Sequence, residues 1–340
     1  MMTYILSAAL IIFFCSIIFA ARSEWERRQL KIEHYRIGPK GASGSGEGLD
    51  IKRSSGSSKG DPVRKGEPVR MLDSDRASDS VRIAYISDVH DYLSFGNMTD
   101  RLVRAVRSQS PELVVLGGDI ITVRGGSDLA PETYRAAALA QILASEYTVL
   151  YAPGNHETRF REKFSREYAD FRALLEKSGV IFLEDSCISI GDVRIYAAEP
   201  SLEYYRKQLP FLGEKTKMPE KYLIGKLGIP DRRYFNVLLM HTPLHLKEAS
   251  LWGADLVISG HFHGGTVRLP GGRGLMSPQY QFFCSECSGI HRYDGTDMVV
   301  SRGLGTHTFH IRFNDLPELG IIDIISGTYK CQNRNTDLKN

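Results

Sequence analysis

Several things are scarce in this chain of 340 residues, and each scarcity closes off a class of function. Net charge is only +3, with 43 Lys and Arg against 40 Asp and Glu. The basic residues are spread out, so the concentrated positive surface of a nucleic-acid binder is missing and no specific nucleic-acid binding is expected. Cysteines number five. Cys284 and Cys287 have the spacing of half a zinc knuckle or of a local disulfide, but no second pair lies near them, which argues against a structural zinc. Cys15 follows the bulky Ile12, Phe13 and Phe14 and does not fit a lipoprotein processing site. The side chains of Met1–Ala21 carry no charge at all, and no Lys or Arg precedes the apolar run. A signal peptide wants a basic start and small residues ahead of its cleavage point, where this chain has Ile18 and Phe19. At about 1.5 Å per residue the run spans roughly the 30 Å hydrocarbon layer. Residues 1–21 are therefore read as an uncleaved transmembrane anchor, and the chain as a single-pass protein of the cell membrane.

What is present begins with enough apolar residue, 42%, to bury one large core or two modest ones. Arg22, Arg27, Arg28 and Lys31 follow the anchor. The positive-inside rule would put the main body in the cytoplasm, a bias that a large domain can override. Residues 22–80 read as a juxtamembrane segment and a low-complexity linker, with GASGSGEG and RSSGSSKG as the clearest words. Such a stretch buries too little apolar surface to offset its ordering entropy. His34–Ile37 has the composition of a first strand, which would make the stretch an insertion.

From Val81 the rhythm changes. Val81–Ile86 runs into Ser87-Asp88-Val89-His90, Leu113–Leu116 into Gly117-Gly118-Asp119, and Thr148–Tyr151 into Pro153-Gly154-Asn155-His156-Glu157. Residues 99–108 and 131–145 have helical spacing between them, so strands alternate with helices and each polar word lands past a strand's end. Later, 235–240 delivers His241, a helix follows over about 244–251, and 255–259 delivers Gly260-His261-Phe262-His263. Short strands are expected at 266–269, 297–301, 308–313 and 320–325. The pattern predicts an α/β protein, a two-sheet β-sandwich core flanked by helices, with polar words from several strands gathered at one rim. Neutral imidazoles and carboxylates in such a set suit a pair of divalent transition metals.

These five words, in this order, resemble the calcineurin-like metallophosphoesterase superfamily over residues 81–330, leaving 331–340 as a polar tail. SDVHDYLSFG, GHFHGGTVRLPGG, SRGLG and RFNDLPEL resemble its membrane-anchored or exported bacterial branch, with Phe262 standing where a small residue is usual. The resemblance implies that Asp88, His90 and His263 hold one metal ion, that Asn155, His241 and His261 hold the other, and that Asp119 bridges them. It implies manganese, with iron or zinc as alternatives, and a metal-bridging hydroxide as nucleophile. His156 is implied to be catalytic and to face the leaving group rather than a metal, with Glu157 supporting that region.

The function expected is membrane-anchored hydrolysis of phosphodiester or pyrophosphate bonds, on a substrate that could be lipid-linked or envelope-derived. The alternatives are a phosphomonoesterase on the same site or a catalytically silent binding module. His245 and His291 are read as satisfied or surface residues, and His307 and His310 as loop residues without chemistry. The stretch 201–233 is read as a cap over the site.

Overall fold

Alternation along the strands sets the layers. In Ser80–Ile86, Ile83 and Tyr85 face one core while Ala84 and Ile86 face another, and Leu113 and Val115 are separated from Val114 and Leu116 in the same way. Successive side chains in a strand point to opposite faces, so a sheet covered on both sides reads as a continuous apolar run. The computed structural model describes residues 1–38, 70–72, 80–124, 126–206, 216–306 and 310–325.

Six strands form one sheet, in the order 31–37, 318–325, 80–86, 113–116, 148–151 and 181–182. Seven form the other, in the order 289–293, 296–300, 256–259, 235–240, 193–198, 186–190 and 70–72. Ile83, Leu113 and Leu150 of the first sheet meet Ile195, Val237 and Ile258 of the second in one buried core. Helices Met98–Gln109 and Tyr134–Ala144 cover the outer face of the first sheet, and Leu246–Trp252 that of the second. The α/β two-sheet sandwich flanked by helices is the expected architecture.

The strand read at His34–Ile37 spans Lys31–Ile37 and pairs in parallel with Glu318–Ile325, so residues before the low-complexity stretch complete the first sheet. Most of 38–80, together with His307 and the 331–340 tail, lies outside the described residues.

One expected strand does not form, and the described part of another is not a strand. Residues 266–269 make only isolated bridges, Val267 to Phe313 and Arg268 to Gly274, because the chain is turning there: Thr266 has φ 67°, and the Leu269 N–H bonds back to the Arg273 carbonyl. Of 308–313 the described part is irregular, and the Arg312 N–H is taken by the Ser23 hydroxyl instead of a neighbouring strand.

The N-terminal helix runs Met2–Arg27, past the apolar stretch. It is long and apolar enough to cross a membrane, and none of its most apolar window is buried in the protein.

Candidate metal centre

Parallel strands bring their carboxyl ends to one edge, and here two sheets do so at the same edge. Strands 80–86, 113–116 and 148–151 run parallel in one sheet, 235–240 and 256–259 in the other. The words that follow them are stitched together through the backbone: the Asp88 N–H donates to the Gly118 carbonyl at 2.9 Å, and the Gly260 N–H to the His241 carbonyl at 3.0 Å.

These turns are strained. Asp88, His90, Asp119, His261 and His263 all have positive φ, between 42° and 68°. For non-glycine residues that region costs on the order of 1–3 kcal/mol each and is held only where the surroundings require it. Gly118 shows how tight the packing is: its φ is 93°, and a Cβ there would lie 2.7 Å from the Gly154 nitrogen and 2.8 Å from His241 Nδ1.

The strain serves convergence. Ligand atoms of Asp88, His90 and His263 fall within 4.8 Å of one another, as do those of Asp119, His241 and His261. Asp119 Oδ2 stands 3.1 Å from His241 Nε2 and 3.9 Å from His90 Nε2, between the two groups. Its other oxygen accepts the His156 N–H at 2.8 Å. Asp88 accepts the His261 N–H at 3.0 and 3.1 Å, and its Oδ1 lies 3.5 Å from His263 Nε2 and 3.6 Å from His241 Nε2. Asn155 opens the helix Asn155–Lys163, and its buried Oδ1 accepts no hydrogen bond among the described residues. Buried carboxylates, imidazole nitrogens and an unsatisfied amide oxygen form a donor set that fits divalent metal ions.

The charges confirm how closely these groups crowd. Burial pushes the Asp88 carboxyl up to about 6 against the pull of His241. Burial also disfavours charge on His241, but Asp119 and Asp88 outweigh it and raise that imidazole to about 10. For Asp119, burial is outweighed by His241 and His156, which hold the carboxyl well below its ordinary value.

Hydrogen bonds to the far side of each ring sort the histidines. His241 Nδ1 lies 2.9 Å from the Gly117 carbonyl and His263 Nδ1 3.2 Å from the Gly305 carbonyl. A carbonyl only accepts, so both rings carry hydrogen on Nδ1 and turn Nε2 to the centre, where it can offer a lone pair once deprotonated. His156 is the reverse: its Nδ1 accepts the Val123 N–H at 2.9 Å. Proximity alone groups His156 with His90 and Asp119, but its neutral form carries the proton on Nε2.

Glu157 holds this arrangement from below. Its carboxylate accepts the N–H groups of Asp119 (2.8 Å), Gly154 (2.9 Å) and Ile120 (2.9 Å) and the Tyr151 hydroxyl (2.9 Å).

Sequence reasoning missed Thr122, whose hydroxyl meets His90 Nδ1 at 2.8 Å, and Tyr205, buried edge-on to His261 with ring centroids 5.0 Å apart. No motif marks either. Tyr205 belongs to the stretch read as a cap, where the described parts include a short turn, Leu202–Tyr205, and a helix, Tyr222–Leu227. His245 is buried beneath Tyr204, and His291 bonds the Ser288 carbonyl, both away from the centre. His310 bonds Thr306 on the wall of a cavity of about 630 Å³ that opens beside His90 and is lined also by Leu93, Ile121 and Arg124.

An uncharacterized metallophosphoesterase of Bacillus subtilis, YkuE, is 25% identical over 73% of this chain and 80% of its own length. A second from that organism, YkoQ, is 22% identical over 72% and 83%. A 5'-nucleotidase precursor from Thermus thermophilus, of solved structure, aligns at 14% identity with a TM-score of 0.38, over 77% of this chain. This chain spans 60% of that protein, less than two thirds of its length. The model of the calcineurin-like phosphoesterases matches residues 81–265, the stretch that carries all five words. This chain belongs to the calcineurin-like phosphoesterase family and is a metal-dependent phosphoester hydrolase.

Proposed function

We propose that the centre holds two divalent ions, manganese in preference to iron or zinc, and hydrolyses phosphodiester or pyrophosphate bonds at a membrane surface. Asp88, His90 and His263 would hold one ion, Asn155, His241 and His261 the other, and Asp119 both. When bound, such a pair supplies Lewis acidity to the phosphoryl oxygens and acidifies water for attack on phosphorus.

The observation that carries the reading is the opposed bonding of the histidines. His241 and His263 are held by carbonyls with hydrogen on Nδ1, so that Nε2 faces the centre and can give a lone pair once deprotonated, whereas His156 is held by a backbone N–H with its hydrogen on Nε2, where it can donate a hydrogen bond. His156 Nε2 lies 4.0 Å from Asp119 Oδ2, so its proton sits at the edge of the reacting volume. There it is placed to meet the departing oxygen as negative charge develops. Thr122 orients His90, and the Val123 N–H fixes the His156 ring, so both are aimed by one short segment. The exposed apolar run of the N-terminal helix supports the anchor.

The test is hydrolysis of bis-(p-nitrophenyl) phosphate and p-nitrophenyl phosphate by chelator-treated protein with manganese restored. Manganese-dependent cleavage of the diester in preference to the monoester is expected. Preference for the monoester would make the protein a phosphomonoesterase, and no cleavage of either with any divalent metal would overturn the enzymatic reading of this site.

A further inference from the structure

Arg312 heads the largest fully buried side chains among the described residues, with its side chain 1% exposed. A buried guanidinium is costly unless most of its donors are matched. Nη2 donates to three carbonyls of one loop, those of Arg302 (2.8 Å), Gly303 (3.0 Å) and Gly305 (2.7 Å), Nη1 donates to the Asp315 carboxylate (3.1 Å) and carbonyl (3.3 Å), and Nε alone has no partner among the described residues. A planar fork reaches several acceptors at once in a way an ammonium does not.

The loop so held is one wall of the centre. Gly303 has φ 64° and lies so close that a Cβ on it would be 2.5 Å from that of Asp88. The Gly305 N–H donates to the Asp88 carbonyl at 2.6 Å, and Gly305 packs against Val89 and His90. The carbonyl of the same Gly305 receives His263 Nδ1. Asp88, His90 and His263, the three residues assigned to one ion, therefore all rest on the loop that Arg312 grips. His241, assigned to the other ion, takes its support from Gly117 in a different loop.

On its far side this structure rests on the N-terminal helix. The Ser23 hydroxyl accepts the Arg312 N–H at 3.1 Å, and the Glu26 carboxylate accepts the Asp315 N–H at 3.0 Å. Both Ser23 and Glu26 are buried. Arg27 pairs with Asp91 at 2.5 Å, Asp91 accepts the Thr306 N–H at 2.8 Å, and Phe19 stacks on Phe313.

We propose that Arg312 is a positioning residue for the half-site Asp88, His90 and His263, and that Ser23 and Glu26 at the end of the apolar helix buttress it. The helix is then a working part of the metal centre as well as an anchor. The inference rests on the ligand assignment made under the proposed function.

The test uses the full chain in detergent, stripped with chelator and titrated with Mn²⁺ by calorimetry, with far-UV circular dichroism to follow the fold. Wild type is expected to bind two ions. Ser23→Ala with Glu26→Ala, and Arg312→Lys, are expected to fold, to bind one ion as wild type does, and to bind the second about 10–100-fold more weakly, the usual effect of removing an outer support. Arg312→Met is expected to lose more than Arg312→Lys. Unchanged binding of both ions in the folded Ser23 and Glu26 variant would overturn the helix's part, and unchanged binding in folded Arg312→Lys would overturn Arg312's. If Arg312→Met does not fold, the other two variants decide. Equal weakening of both ions also counts against the inference. A wild-type chain that binds no Mn²⁺ would instead overturn the ligand assignment beneath it.

Discussion

The backbone N–H of Val123 donates to His156 Nδ1 across 2.9 Å. That bond leaves the imidazole hydrogen on Nε2, a poor form for a metal ligand and one that can donate a hydrogen bond to the charge developing on a leaving oxygen. His156→Asn should therefore keep its manganese while turnover falls by a factor on the order of 10²–10⁴. The loss should be smaller for p-nitrophenyl esters, whose leaving group departs without a proton, than for alkyl esters. Metal content measured beside kcat for both substrate types checks this, and lost metal or equal losses would count against the role.

Glu157 accepts five hydrogen bonds while buried, four from the backbone of the turns that carry Asp119 and Asn155. In Glu157→Gln the amide NH₂ would face N–H donors, leaving at least one unmatched. A destabilisation of about 2–3 kcal/mol is expected, from the strength of hydrogen bonds to charged groups and the cost of a buried unpaired donor. Urea unfolding with chelator present measures it apart from metal binding, and a change below about 0.5 kcal/mol would contradict it.

His245 makes stability depend on pH. Burial holds its imidazole down at about 4, so the folded chain keeps it neutral where the unfolded chain, with an ordinary value near 6.5, takes up a proton. The unfolded state then binds more protons between about pH 4 and 6.5, and stability falls as pH drops through that window. His245→Phe should make the fall shallower by about one proton's worth of slope. Unfolding free energies of chelated wild type and variant at several pH values show this as diverging lines, and parallel lines would refute it.

The left-handed backbone at Asp88, His90, Asp119, His261 and His263 is a standing cost to the folded chain. Ions that bind only the folded state offset that cost by mass action, about 2.7 kcal/mol for each site at a hundred times its Kd. Chelation should lower the melting temperature and manganese should restore it, with uptake strengthening as pH rises, because the ligating imidazoles, His241 included, must give up protons to bind. Scanning calorimetry with and without manganese is the measurement, and a melting temperature indifferent to metal would speak against ligation.

Local rules made much of this legible. Apolar strands break off at polar words, and parallel strands collect those words at one edge, so the rim could be read from 81–90, 113–119, 148–157, 235–241 and 255–263. Residues 266–269 and 310–313 have strand composition but lie where the chain must turn around His263 and Arg312, and neither is a strand. Composition carries no record of such a demand. Thr122 and Tyr205 were illegible for a related reason: their parts come from contacts with His90 and His261, far away in sequence.

By itself the sequence determined the family, the alternation of strands and helices, the apolar helix and the residue types at the metal centre, because each is written in short-range pattern. Only the tertiary structure decided which nitrogen of each histidine faces inward, since that depends on whether a carbonyl or an N–H from another segment meets the far side of the ring. It alone placed Ser23 and Glu26 against Arg312 and Asp315, residues 289 positions away, where a buried guanidinium had to find its partners.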